Sequence, residues 1–274
     1  MAQLIGEVLS SVNNTFVRRM RSLKDKKGRR ESGLYLADGP HLVGEALKGG
    51  ADIACLIATP AFLERDTPEQ RQVRASDVRL YQVQERVMAA ICDTRTPQGV
   101  AAAVRIPQEI PPLPEKGLVV LLDGVSDPGN VGTIIRTADA VGAAMVLLWG
   151  PCADVYSPKV VRATMGALYH VPVRGALDVQ ADIALLKARG FRLIGTHLAG
   201  DAYQSGRDVF TARNVLVIGS EARGMSELLR DACDALVKLP MPGRAESLNA
   251  AVAAGVFLYD WLRAKPHNAG EQIR

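Results

Sequence analysis

The sequence predicts an α/β protein of two domains, the larger of them C-terminal and built on a mostly parallel sheet. Three observations carry this expectation. Short apolar runs alternate with segments of helical spacing along nearly the whole chain of 274 residues. Residues 106–117, IPQEIPPLPEKG, hold Pro107, Pro111, Pro112 and Pro114, which exclude a helix and read as a linker between residues 1–105 and 118–274. Beyond that linker the strands are continuously apolar, as in LVVLL at 118–122, which suits strands covered by helices on both faces.

The first element is a basic helix. Residues 13–31 contain Arg18, Arg19, Arg21, Lys24, Lys26, Lys27, Arg29 and Arg30 against only Asp25 and Glu31, while Phe16, Met20 and Leu23 recur at helical spacing. Such a surface attracts phosphate backbones through counterion release, so a nucleic acid is the expected partner. From Gly33 the pattern alternates: GLYLADG as strand, PHLVGEALKGG as helix, DIACLIAT as strand, TPEQRQV as short helix, VRLYQV as strand, ERVMAAICD as helix and GVAAAVRI as strand. Residues 1–105 carry 16 Lys and Arg against 12 Asp and Glu, a net of +4, whereas residues 106–274 carry 17 of each. All the excess positive charge therefore sits in the N-terminal part.

The larger domain opens with the strand at 118–122, a loop through Asp123, Gly124, Asp127, Pro128 and Gly129, and a helix marked by Ile134, Ile135, Ala138 and Val141. Next come the strand AMVLLWG, a helix within SPKVVRATMGAL, the segment YHVPVRG, the helix DIALLKARG, the strands RLIGTHL and NVLVIGS, a short helix near SELLRDA and the strand ALVKLPM. A last helix runs from Ser247, a good N-cap, to about Arg263. Its turns LNAAVAAGVF are small or apolar all round, which predicts burial on every side by the core or by a second subunit.

Ligands of parallel sheets bind at the carboxyl ends of strands. Three such ends are unusual here: DGVSDPGN at 123–130, GSEARGM at 219–225 and LPMPGRAESLN at 239–249. Gly219, Gly224 and Gly243 permit close backbone approach. Asn130 and Arg136 place polar groups where a helix of this kind usually carries small or apolar residues, and a guanidinium with five donors suits an anionic partner; pairing with Asp139 or Asp123 is the bland alternative. Glu221 follows a buried strand directly, where a carboxylate needs a reason. Neither a Walker motif nor a G-x-G-x-x-G fingerprint is present.

Composition narrows the classes further. Apolar residues make up 48% and charged residues 23%, which fits a folded protein with ample core. No apolar run reaches membrane-spanning length and the N-terminus lacks a signal pattern, so a cytoplasmic location is expected. Cys55, Cys92, Cys152 and Cys233 are scattered without a C-x-x-C pair, which predicts neither disulfides nor a zinc site, and no metal is expected.

Taken together, the three edges resemble the motifs of the SpoU/TrmH branch of the SPOUT RNA methyltransferases. The resemblance lies in NVGTIIRTADAVGA with Asn130 and Arg136, in VIGSEARGM with Glu221, and in LPMPGRAESLNAAVAAGV with Ser247 and Asn249. SPKVVRATMGALYHVPV, with Arg162, Gly166 and Pro172, also looks like the family's linking segment. The N-terminal domain resembles, more loosely, the L30e-type substrate-binding module of ribosomal RNA members, with Asp38-Gly39 where Glu-Gly is common. Arg162-Ala163-Thr164 likewise stands where Arg-Ala-Ser is common.

The resemblance implies a C-terminal trefoil knot, a rare exception to unknotted chains. It implies S-adenosylmethionine as cofactor, a homodimer packed on the last helix, and methyl transfer to a ribose 2′-hydroxyl, with ribosomal RNA as target. Transfer RNA, or a non-catalytic RNA-binding role, are the rival readings. By position, Arg136 is the catalytic arginine, as base or phosphate clamp; Asn130 orients the ribose; and Glu221, Ser247 and Asn249 hold Arg136 and substrate. Thr196, Gly219, Leu239, Met241 and Leu248 are assigned to the cofactor. Arg18, Arg19, Arg21, Lys24, Lys27, Arg29, Arg30 and Arg162 are assigned to RNA.

Overall fold

A computed structural model describes residues 2–203 and 209–264. The chain separates into two units: the first comprises the chain up to Glu109 together with Asp154–His170, the second Ile110–Ala153 together with the chain from Val171 onward. The segment 154–170, encoded inside the larger domain, thus belongs to the smaller unit.

The first unit is a five-stranded sheet in the order β1-β4-β3-β5-β2, mixed in direction, with helices between its strands. Its elements are β1 (Gln3–Leu9), α1 (Thr15–Ser22), α2 (Lys26–Ser32), β2 (Leu34–Asp38), α3 (Pro40–Lys48), β3 (Ile53–Ala58), α4 (Pro60–Leu63), α5 (Pro68–Ala75), β4 (Arg79–Val83), α6 (Glu85–Ile91) and β5 (Val100–Arg105). Alternation on β2 divides the core: Leu34 and Leu36 pack with Val17, Met20, Val87 and Ile91. Tyr35 and Ala37 pack with Leu42, Phe62, Val73 and Val161 on the other side.

The basic segment is two helices where its spacing predicts one. Leu23 is fully buried and ends α1, Asp25 is extended at ψ 144°, and α2 then starts anew. Gly28 makes this turn-back possible, because a Cβ there would lie 2.0 Å from the Ser22 carbonyl oxygen. Strand β1 and the one-turn helix α4 are also unpredicted; β1 is a mostly exposed edge strand without the apolar run that marks a buried one.

The second unit begins inside the proline-rich linker. Leu113 is buried, and the linker is clamped where Arg189 donates to the carbonyls of Leu113 (2.5 Å) and Pro114 (3.2 Å) and Arg174 to that of Pro111 (3.1 Å). Then follow β6 (Gly117–Asp123), α7 (Pro128–Ala140) and β7 (Met145–Trp149). The chain passes to the first unit for α8 (Pro158–Thr164), and continues in the second with β8 (Val173–Gly175), α9 (Val179–Ala188), β9 (Arg192–Ala202), β10 (Arg213–Gly219), α10 (Glu227–Ala232), β11 (Ala235–Lys238) and α11 (Ala250–Ala264).

The six strands run in the order β11-β9-β10-β6-β7-β8 and every neighbouring pair is parallel. Alternate residues Val119, Leu121, Val215, Val217 and Leu193 pack against Ile183 and Leu186 of α9 and Leu229 of α10. The other set, Leu118, Val120 and Leu122, is equally buried beneath the side that carries α7 and α11, which touch each other. Each such leucine contributes about 1.5–3 kcal/mol over an exposed one, which makes β6 the centre of the unit. Among the described residues no helix is long and apolar enough to cross a membrane.

The last helix departs from expectation at its start. It starts at Ala250, with Asn249 rather than Ser247 as cap: the Asn249 side-chain oxygen accepts from the N–H groups of Ala251 (3.0 Å) and Val252 (3.2 Å). Within one copy of the chain its burial is confined to one side. Val252, Val256 and Tyr259, at helical spacing, are 54%, 44% and 45% exposed.

Candidate functional site

The site forms where β6, β9, β10 and β11 end. Asp127 caps α7 by accepting the Asn130 backbone N–H at 2.8 Å, and Pro128 suits the first helical position. This cap fixes the buried Asn130 in the first turn, beneath the loop that leaves β10. That loop is tight: Ser220 and Gly224 exchange backbone hydrogen bonds of 3.0 and 2.7 Å. A Cβ at Gly219 would lie 2.5 Å from backbone atoms of Gly224 and Met225, and Gly224 has φ +69°, so both positions need glycine. At Gly243 a Cβ would meet nothing, so close approach does not explain that residue.

Three polar residues, one from each edge, are joined in series. Asn130 Nδ2 donates to Glu221 Oε1, and Asn249 Nδ2 donates to Asn130 Oδ1 at 2.9 Å. The two ends of the series settle both amide orientations. An ionised carboxylate only accepts, so Asn130 must turn its NH2 to Glu221; the backbone N–H groups of α11 only donate, so Asn249 must turn its oxygen to them. The amide hydrogen bond between Asn249 and Asn130 follows from those two constraints.

Beside this relay lies a cavity of about 480 Å3, lined by the ends of β9, β10 and β11, the 220–224 loop and the chain leading into α11. Thr196, Gly219, Leu239, Met241 and Leu248 all line it, as do Glu221 and Ser247. Thr196 turns its hydroxyl to the Val217 carbonyl at 3.0 Å, which pins β9 to β10 at the cavity floor. Apolar walls come from Ile218, Val237 and Phe257. Phe257 was not singled out from the sequence, although Ala250, Ala253 and Phe257 form a stripe at helical spacing that faces the cavity. Asp123, which the sequence offers only as a partner for Arg136, is a buried carboxylate whose Oδ2 accepts the Ser226 N–H at 2.6 Å.

Arg136 stands apart from this assembly. It is exposed on α7, in a stripe with Thr133 and Ala140, and is not among the cavity-lining residues. Glu221 and Asn249 bond Asn130 instead of holding the guanidinium, and Asp123 is engaged with Ser226.

A profile of the SpoU rRNA Methylase family matches residues 117–259, and one of the MRM3-like substrate binding domain matches residues 14–102. The chain belongs to the SpoU rRNA methylase family. Over 254 residues this SpoU protein is 35% identical to the 23S rRNA (guanosine(2553)-2′-O)-methyltransferase RlmP of Bacillus subtilis, covering 92% of the chain and 97% of the relative. The AdoMet-bound rRNA methyltransferase from Sinorhizobium meliloti superposes with a TM-score of 0.83 at 33% identity, covering 97% of this chain and 100% of that one. The SpoU methyltransferase AviRb from Streptomyces viridochromogenes, in complex with AdoMet, gives 0.80 at 31%, covering 92% and 98%.

The basic residues of the SpoU protein divide into two groups. Arg18, Arg19, Arg21, Lys27 and Arg30 are exposed, Lys27 in a loose pair with Glu31 at 3.8 Å. Arg29 is only 4% exposed and spends its guanidinium on the carbonyls of Leu23 and Lys24, both at 2.8 Å, and on Asp154 at 2.7 Å. It is a strut within the first unit, not a surface cation. Lys24 donates to the Ala90 carbonyl at 2.8 Å, and Arg162 pairs with Asp93 at 2.8 Å. These two also serve packing, because each sits where α6 ends and leaves backbone or carboxylate acceptors.

All four cysteines are free thiols, and burial pushes the Cys55 thiol up to about 11. Among the described residues no group of three or more His, Cys, Asp or Glu is placed to hold a metal ion.

Proposed function

We propose that the chain transfers the methyl group of S-adenosylmethionine to a ribose 2′-hydroxyl of RNA, with ribosomal RNA as its target. The observation that carries this reading is the Glu221–Asn130–Asn249 relay joined beside an apolar cavity at the carboxyl ends of parallel strands. The cavity fits the cofactor in size, since small-molecule sites run to about 300–1,000 Å3. It fits in chemistry too. Ile218, Leu239, Met241, Leu248 and Phe257 offer apolar surface to an adenine, and Gly219 and Gly224 let backbone come close.

Bound there, S-adenosylmethionine supplies a methyl group already activated by its positive sulfur. The protein's part is then alignment and assistance to loss of the hydroxyl proton. Asn130, held between Glu221 and Asn249, orients the ribose: each carboxamide nitrogen has two hydrogens and the relay spends one. Ser247 and Glu221 line the cavity. Arg136, exposed on the same helix as Asn130, suits a phosphate clamp better than a base, because a guanidinium offers five donors and no acceptor and binds phosphate bidentately.

Residues 1–105 grip RNA and residues 118–274 do chemistry, with 154–170 lent to the first task. Arg18, Arg19, Arg21 and Arg30 form the RNA-facing set in this reading. The apolar stripe Val252, Val256 and Tyr259 supports a homodimer packed on α11. A trefoil knot in the C-terminal part and a cytoplasmic location complete the assignment. Transfer of a labelled methyl group to ribosomal RNA, mapped by its block to alkaline cleavage, tests the reaction. Label in a base, or none in any RNA, would overturn it.

A further inference from the structure

We propose that Asp123 is a positioning residue for methyl transfer, acting through Glu221; the inference rests on the function proposed above. Asp123 closes β6 in register with Trp149 of β7 and Gly219 of β10. A carboxylate buried among strand ends is costly unless it is hydrogen-bonded. Its partner is the Ser226 backbone N–H at 2.6 Å, a short charge-assisted contact between residues 103 apart in sequence.

The location of that contact gives it a function. The loop carrying Glu221 leaves β10 at Gly219 and ends at Ser226. Within the loop, the Ser220–Gly224 pair and the close approach at Gly219 hold the loop to itself. The Asp123 contact instead ties the loop's exit to β6. Four residues after Asp123, Asp127 caps α7 and holds the Asn130 N–H at 2.8 Å. One strand end therefore sets both halves of the relay, the amide on α7 and the carboxylate on the loop. Ser226 makes no cap bond with its own hydroxyl, so the link depends on the acceptor at 123 and on a backbone N–H.

Single-turnover methylation by the full-length protein tests this, with Asp123→Ala and Asp123→Asn made in wild-type and Glu221→Ala backgrounds. Asp123→Ala lowers the rate about tenfold or more, with KM for RNA unchanged, as expected for a lost charge-assisted hydrogen bond. Asp123→Asn keeps an acceptor oxygen and recovers most of the rate. In the Glu221→Ala background Asp123→Ala costs nothing further, whereas a merely structural role lowers the rate equally in both. Should Asp123→Ala not fold, or the Glu221→Ala rate be too low to follow, Ser226→Pro removes the donor at a φ of −61° that suits proline; loss of rate without loss of RNA affinity then supports the proposal, and a wild-type rate overturns it. A wild-type rate in Asp123→Ala, or no recovery in Asp123→Asn, likewise overturns it. A wild-type protein that transfers no methyl group overturns the proposed function instead.

Discussion

Replacing Arg29 with alanine separates a structural role from an RNA-binding one. The side chains of Arg29 and Asp154 are 5% and 24% exposed, and the guanidinium also satisfies the Leu23 and Lys24 carbonyls. Breaking a buried ion pair by removing one partner costs about 3–5 kcal/mol. Asp154 is partly exposed and regains water, so about 2–4 kcal/mol is expected. For a protein of this size that corresponds to a fall in Tm of roughly 5–15 °C. Arg29→Lys does not restore it, because a single ammonium cannot reach three acceptors in the planar arrangement of the fork. Circular dichroism melts give the stability, and a gel-shift titration over a salt series gives the RNA contribution. Arg29→Ala leaves the salt dependence of RNA affinity near wild type, whereas neutralising Arg18, Arg19 and Arg21 together lowers its slope by about 2–3 with little change in Tm. An unchanged Tm in Arg29→Ala, with a slope lowered by about one, refutes the structural assignment.

Asn249→Asp keeps the cap oxygen of α11 but loses the donor to Asn130; methylation falls by an order of magnitude or so while Tm holds, and an unchanged methylation rate would remove the Asn249–Asn130 bond from the mechanism. Gly219→Ala forces a Cβ to within 2.5 Å of the Gly224 backbone, so calorimetric binding of S-adenosylhomocysteine should be lost; retained affinity contradicts the cavity assignment. Glu45 is held below the usual carboxylate range by Lys48, with His41 and His170 adding and burial opposing. Because its pKa is depressed on folding, it stabilises above about pH 4.3 and that stability is lost as pH falls through the folded value. Glu45→Gln should therefore flatten the acid side of the Tm–pH curve, and an unchanged slope would remove Glu45 from the balance.

Deleting residues 1–105 is a poorer test of the RNA unit than charge substitution. It strips Val161, Leu168 and Tyr169 of the core they pack against, since segment 154–170 folds with the part removed. Nothing local in SPKVVRATMGAL announces that allegiance: its capping serine, apolar spacing and terminal glycine describe a helix equally well in either unit. The basic run shows the same limit. Eight cations at 18–30 read as one basic helix, yet Gly28 folds the chain back and takes Arg29 inside, a consequence of a backbone clash that periodicity does not register.

What the sequence by itself determined was the alternation of strands and helices, the parallel character of the larger sheet, and the three strand ends that carry polar residues among apolar ones. These are local properties: period, turn chemistry and the rarity of a carboxylate after a buried strand are visible within a dozen residues. Only the tertiary structure decided which of those residues meet. Asn130, Glu221 and Asn249 lie 91 and 119 positions apart, Asp123 and Ser226 lie 103 apart, and Arg136 turns to the opposite, exposed stripe of its helix. Such contacts depend on strand order and on where each loop is pinned, and both arise from burial summed over the whole sheet rather than from any one segment.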